Sequence, residues 1–471
     1  MDYDVVVIGS GVAGLSAALE ASAAGRSVLL VESEGRIGGS SVLSGGIIMA
    51  AGTSIQRQAG IEDDAAALER DYLLFNQYSV APSLARRLAQ DSGPAVEWLR
   101  SLGVEFHTEL MYAAEERTPR SHVPRRAGYG VVGVLSDALQ GRPGVDVALG
   151  RRVNRLLVKE GRVTGAAVDD DEVRAGAVVV ACGGFGANPA LWAEHLPRLA
   201  AAGGSAWYIG APGARGDAFA LGAQAGADVT GHDRALVVAT PGFTTNIEVY
   251  FPGWLVMVDR AGARRVDEST SYAVMELAHR RHGPLFAIFD DTAKKGAQPQ
   301  LPPEYKQTIP GVDPARMPSN WTEPVIDEMV AAGRVARAAT LDDLARLLSI
   351  DGPGLRASVE RYNRAAQAGE DAEFAKAPRF LKEIATPPFY GAELRLSMLC
   401  LTSKGLRIDA DAHVLDRSGT PIPGLLAAGE CTGGVLGDVY VGSGNSYANC
   451  VVFGRTAGRS AARHAAGGGE R

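Results

Sequence analysis

The chain predicts an α/β fold: an open, mostly parallel sheet with an α+β domain inserted into it. Three observations carry this expectation. A buried strand, a glycine loop, a helix and a second buried strand follow one another at the N-terminus. A further buried strand, AVVVACGG (177–184), ends in glycines. Residues 236–374 then change character, and strand and glycine signals return only from about residue 395.

Residues 4–8, DVVVI, read as a buried strand: after Asp4 the run is continuously apolar, as a strand covered on both faces requires. In the GSGVAGLSAALEASAAG that follows, Val12, Leu15, Ala18, Leu19 and Ala23 recur at helical spacing. Gly25 ends the helix, and SVLLVE (27–32) is the second strand. A β-α-β unit implies parallel strands joined by a right-handed crossover. Residues 83–102 read as two short helices broken at Gly93-Pro94, with Leu84, Leu88, Trp98 and Leu99 as core candidates. Residues 153–168 alternate around Glu160-Gly161 as a hairpin does. The region 236–374 holds many prolines, a strand-like LFAIFD (285–290), and helical stretches 341–350 and 354–368 split by DGPG. The expected domains are therefore 1–235 with 375–471, and a cap at 236–374 between them.

With 471 residues, 46% of them apolar, the chain can bury more than one core. The net charge is −7 and no basic field runs along the chain, so nucleic acid is not an expected partner. The doublets Arg125-Arg126, Arg264-Arg265 and Arg280-Arg281 read as solvated surface. Cys182, Cys400, Cys431 and Cys450 form no CxxC pair, which argues against metal, iron–sulfur and c-type haem sites. They read as thiols in a reducing compartment. The apolar start is too short for a membrane span, which needs about 18–20 residues, and runs straight into a glycine loop. The expectation is a cytoplasmic protein.

Gly9-Ser-Gly11-Val-Ala-Gly14 lies between a strand and a helix, where such a loop binds a dinucleotide. Gly9 permits the turn, Gly11 lets backbone approach a pyrophosphate, and Gly14 lets helix pack on strand. The helix N-terminus then faces the anion. Glu32 closes the second strand, where a carboxylate holds ribose hydroxyls. A second GxGxxG, Gly128 to Gly133, follows RRA and no strand, so it reads as a loop opening a helix. A single nucleotide site argues against an NAD(P)H-linked reductase with two dinucleotides.

Gly35-Arg-Ile-Gly38-Gly39-Ser40-Ser41-Val-Leu-Ser44-Gly45-Gly46 resembles the flavin loop of the fumarate reductase/succinate dehydrogenase flavoprotein superfamily. VVVACGGFGAN (178–188), containing Gly183, resembles its flavin-domain strand. PGLLAAGE (423–430) with GGV and VVFGRTAG (451–458) resembles its C-terminal flavin segment. These motifs stand in family order at both ends of the chain, and the cap resembles the family only loosely. The resemblance implies a Rossmann-type FAD-binding domain in which Gly429 and Glu430 meet the flavin, Glu430 on its ribitol. Ser40-Ser41 stand where covalent members carry a linking histidine, so noncovalent FAD is expected. A C-terminal helix starting near Gly444–Ser446 would face the flavin C2 carbonyl, where reduced flavin is negative and a helix N-terminus is positive.

Fumarate reductases hold a dicarboxylate with arginines and histidines, because two negative charges need several cationic donors. Here Leu401 stands in place of the histidine and Tyr440 in place of the arginine, which argues against a dicarboxylate. Tyr440-Val-Gly-Ser-Gly444 instead resembles the Tyr-x-Gly-x-Gly signature of 3-ketosteroid dehydrogenases, in which the tyrosine hydroxyl and the last glycine's N–H bind a ketone oxygen. Such donors stabilise the enolate formed as the α-proton leaves, and the β-hydrogen leaves as hydride to flavin N5. The 258–272 segment resembles the family's V-N-x-x-G-x-R-F-x-N-E stretch, and Tyr272 stands where ketosteroid dehydrogenases place a tyrosine. Tyr272 is the expected proton acceptor. An ordinary tyrosine titrates near ~10, so it needs a helper, for which Tyr112 and Tyr129 are candidates. The substrate expected is a cyclic ketone, steroidal or as small as an oxocyclohexanecarboxylate. If it carries a carboxylate, the arginine pool is Arg120, Arg125, Arg126 and Arg264. The electron acceptor, a quinone, dye or oxygen, is not readable. A reductase of an unsaturated acid is the rival, and a flavin-bearing electron-transfer subunit without its own substrate is a third reading.

Overall fold

A computed structural model describes residues 2–111, 116–231, 233–245, 251–297 and 321–467. Its larger sheet has eight strands. The parallel run, in spatial order, is Pro421–Ala427, Asp171–Val180, Tyr3–Ile8, Val28–Glu32 and Val145–Leu149. His413–Leu415 is added antiparallel at one edge, and the hairpin Val153–Lys159/Arg162–Val168 continues from Asp171–Val180. The first strand is central, which explains the apolar run after Asp4: Val5, Val6 and Val7 are fully buried.

Helices Val12–Ala23 and Asn445–Gly467 pack on each other over this sheet. The glycines of VVFGRTAG make the contact: a Cβ at Gly454 would lie 2.4 Å from the Ala13 carbonyl oxygen. The C-terminal motif thereby brings the second end of the chain against the first glycine loop.

The second sheet has six strands. Ala235–Thr240, Phe389–Thr402, Leu285–Asp290 and Val256–Val258 run side by side, and Trp207–Tyr208 and Ala336–Ala338 also pair with Phe389–Thr402. Its longest strand lies beyond residue 374, and carries the chain from this sheet to Thr402. Apolar clusters cover both of its faces.

Residues 82–102 form one helix, Pro82–Leu102, where two were expected. Pro94 removes the bond to the carbonyl of Gln90, but Gln90 is exposed, so water can take that carbonyl. Gly93 lies so close to the Ala51 carbonyl oxygen that a Cβ would approach it to 2.4 Å. Packing therefore overrides the breaker pair. DGPG behaves as a helix start: Asp351 caps Gly352–Ala368 by accepting from the Gly354 N–H at 2.7 Å. The 153–168 hairpin forms, turning at Glu160 and Gly161, both with positive φ.

Candidate active site

The first glycine loop turns as its sequence requires. Gly9 has φ +101°, and a Cβ there would lie 2.4 Å from the Ala181 carbonyl oxygen. A Cβ at Gly14 would lie 1.9 Å from the Gly9 carbonyl oxygen. The loop opens onto a groove lined by Gly9, Gly11, Glu32, Gly39, Ser40, Ser41, Gly183 and Glu430. Gly14, Ser44, Gly45, Gly46, Gly429 and Ser446 are not on that lining. Gly14 serves helix packing, and Gly46 with Ser44 meets Gly128, whose N–H donates to the Ser44 carbonyl at 3.0 Å. The second GxGxxG thus opens the helix Ala127–Leu139 and supports the loop 39–46.

The carboxylate of Glu32 is set by its neighbours. One oxygen accepts from the Ser10 N–H at 2.9 Å and the Ser10 hydroxyl at 2.6 Å, the other from the Glu34 N–H at 2.8 Å. Ser41 Oγ accepts from the Val12 N–H at 3.0 Å, at the helix N-terminus. Ser40 Oγ lies 3.2 Å from the Tyr208 hydroxyl and accepts from the Ala211 N–H at 2.9 Å. Across the groove Glu430 Oε1 accepts from the Thr402 N–H at 2.8 Å and hydroxyl at 2.9 Å. Burial pushes the Glu430 carboxyl up, and the two Thr402 donors oppose that. A tight glycine turn, a helix N-terminus and a fixed carboxylate at each end of one groove fit a dinucleotide. Sequence reasoning missed Ser10, Tyr208 and Thr402. Ser10 lies inside the first glycine loop and Thr402 directly follows Leu401, whereas nothing around Tyr208 signals its place.

The two tyrosines expected at the substrate meet. Tyr272 opens the helix Tyr272–His282, capped by Ser271. Its ring centroid is 6.2 Å from that of Tyr440. The Tyr272 hydroxyl donates to the Gly442 carbonyl at 3.2 Å and lies 3.1 Å from Ser443 Oγ. The Tyr440 phenol is pushed up by its apolar surroundings, and the N–H groups of Ser446 and Gly444, which favour its ionised form, offset only part of this. It is therefore a protonated donor at ordinary pH. Both rings pack against Leu236, Val238 and Met398, together with Trp207, Ile209, Cys400 and Leu401. Leu401 and Tyr440, the positions read as substitutes for histidine and arginine, share this apolar cluster.

The structure corrects the arginine pool. Arg120 is bound by Asp63 at 2.8 Å and Asp71 at 2.9 Å, and is 2% exposed. Arg264 is held by Glu268 at 2.8 Å and Asp371 at 2.8 Å, and Lys376 meets Glu268 at 2.9 Å. Both are spent on buried carboxylates. Arg125 and Arg126 are exposed. Tyr129 is 63% exposed, with the Arg126 guanidinium over its ring, so it is no helper for Tyr272. Ser443 supplies the neighbouring hydroxyl instead. Tyr112 lies outside the described residues. Among the described residues there is no metal-binding cluster of His, Cys, Asp or Glu, and no helix is long and apolar enough to cross a membrane.

Sheet, groove and fixed carboxylates define a dinucleotide-binding protein. The chain belongs to the FAD binding domain family, which it matches over residues 4–447, and its cofactor is FAD. It is 30% identical over 482 residues to the NADH:fumarate oxidoreductase of Klebsiella pneumoniae, covering 99% of this chain. It spans about half of that longer protein, 48%. It is 30% identical over 495 residues to the vinyl phenol reductase of Lactiplantibacillus plantarum, covering 98% of this chain and 96% of that one. The 3-ketosteroid-Δ4-(5α)-dehydrogenase of Rhodococcus jostii, solved with 4-androstene-3,17-dione, superposes with a TM-score of 0.75 at 26% identity, covering 98% of this chain and 96% of that one. These are flavoprotein oxidoreductases of the fumarate reductase and ketosteroid dehydrogenase kind.

Proposed function

We propose that this protein desaturates a cyclic ketone, removing hydrogen from the α and β carbons. The observation that carries the reading is the Tyr272–Tyr440 pair, 6.2 Å apart on one apolar wall. Tyr440, kept protonated, donates to the ketone oxygen together with the Gly444 N–H, and the negative charge of the enolate develops there. Tyr272 takes the α-proton as its phenolate, having first given up its own proton to solvent, and the Ser443 hydroxyl, 3.1 Å away, donates to that phenolate. The wall of Leu236, Val238, Met398 and Leu401 excludes water and suits an uncharged ring. Noncovalently bound FAD supplies a hydride acceptor. Glu32, Ser40, Ser41 and Glu430 are its proposed ligands, and an external oxidant such as a quinone, dye or oxygen completes the cycle. The chain divides, on this reading, into an FAD-binding part at both ends and a cap between.

A second reading has a specific observation behind it: among the relatives that are 30% identical, one is named an NADH:fumarate oxidoreductase and another a vinyl phenol reductase. It predicts hydride delivery to an electron-poor double bond. Leu401 and Tyr440 weigh against a dicarboxylate substrate, but not against an uncharged one. A panel of cyclic ketones with an artificial electron acceptor, run beside α,β-unsaturated acids and vinyl phenols with a reduced dye, separates the two. Turnover confined to the second set would reject the desaturase.

A further inference from the structure

Trp207 Nε1 is buried and has no hydrogen-bond partner among the described residues. A buried N–H without an acceptor destabilises a fold unless a ligand or water satisfies it. Trp192 shows the ordinary outcome, its Nε1 donating to the Gly186 carbonyl at 3.0 Å.

Strand alternation decides which way Trp207 packs. Tyr208 lies on one side and reaches Ser40 of the cofactor groove. Trp207 and Ile209 lie on the other, against Leu236, Val238 and Met398, the same residues that carry Tyr272 and Tyr440. The unsatisfied donor therefore belongs to the wall of the two tyrosines. An indole N–H is a single uncharged donor. A carboxylate buried there would need a cation, and Arg120 and Arg264 are already bound to buried carboxylates while Arg125 and Arg126 are exposed.

We propose that Trp207 Nε1 is a second substrate-binding donor, and that the substrate carries, besides its ketone, a neutral acceptor oxygen such as a second carbonyl or an ester. This rests on the ketone reading above.

The test is Trp207→Phe, which keeps an aromatic ring and removes the N–H. Purified holoprotein is titrated anaerobically, and binding is read from the flavin absorbance shift. The probes are matched pairs: cyclohexanone with 1,4-cyclohexanedione, and a fused-ring ketone with and without a carbonyl at its far end. An unchanged flavin content and spectrum in the free variant shows that the fold is kept. In at least one pair the variant should bind the two-carbonyl member about 3–10-fold more weakly, with less than about twofold change for its partner. Equal losses within both pairs, or none, overturn the proposal while leaving the ketone reading intact. A wild-type spectrum that no ketone moves defeats the ketone reading, and this inference with it.

Discussion

Replacing Tyr272 by Phe removes one oxygen and little else. The ring keeps its packing on Leu236, Val238 and Met398 and its tilted contact with Tyr440. What is lost is the donation to the Gly442 carbonyl at 3.2 Å and the contact with Ser443 Oγ at 3.1 Å. Two net hydrogen bonds of this kind contribute about 1–3 kcal/mol together. Thermal unfolding should therefore fall by only a few degrees. The chemical consequence is larger, because positioned acid–base groups contribute about 10²–10⁴ in rate. Rapid mixing of oxidised protein with a cyclic ketone, followed by flavin bleaching, measures it. Wild type should bleach faster as pH rises and the base deprotonates, and the variant should be slow with that dependence lost. Ketone affinity should change little, since Tyr440 and the Gly444 N–H remain. A variant bleaching as fast as wild type at every pH would refute the role of Tyr272. A collapse of affinity would make it a substrate wall.

Tyr440→Phe should retain flavin and lose about 10²–10³ in turnover, the cost of one oxyanion donor, and near-normal turnover would remove it from the carbonyl site. Glu268→Gln leaves Arg264 and Lys376 facing a neutral amide in a buried cluster, at a cost of about 3–5 kcal/mol read by thermal or denaturant unfolding, and an unchanged midpoint would contradict this. Burial raises the Glu276 carboxyl to about 7, so the folded state favours its neutral form. That stability is present below the ordinary carboxylate range and is lost as pH rises through about 7, by up to about 3 kcal/mol. Glu276→Gln should remove this part of the pH dependence, and identical stability–pH curves would show that Glu276 does not titrate there. Acid precipitation should leave FAD in the supernatant, and yellow colour in the pellet would establish a covalent link.

The parts legible in sequence were those whose cause is local. DVVVI and SVLLVE announce buried strands because each holds an unbroken apolar run, Val5–Ile8 and Val28–Val31, and Gly9 and Gly14 announce a turn and a close approach that only glycine allows. Tyr440 was readable because it stands in a glycine pattern. The missed features depend on distant packing. Pro94 looks like a helix end until the exposure of Gln90 and the contact of Gly93 with Ala51 are known. Arg120 looks available until Asp63 and Asp71 close on it from elsewhere in the chain, and Arg264 until the distant Asp371 joins its near neighbour Glu268. Thr402, which fixes Glu430, and Tyr208, which meets Ser40, sit at the far ends of pairings between distant strands, and no spacing rule reaches that far.

The central claim is that a ketone loses an α-proton to Tyr272 and a β-hydride to the flavin. It is tested most directly by mixing the oxidised protein, without oxygen, with a cyclic ketone carrying deuterium only at its β carbons. The account predicts flavin bleaching slowed several-fold relative to the unlabelled ketone, with a conjugated enone one deuterium lighter as product. No bleaching by any ketone, with reduced protein instead reoxidised by an unsaturated acid or a vinyl phenol, would contradict it.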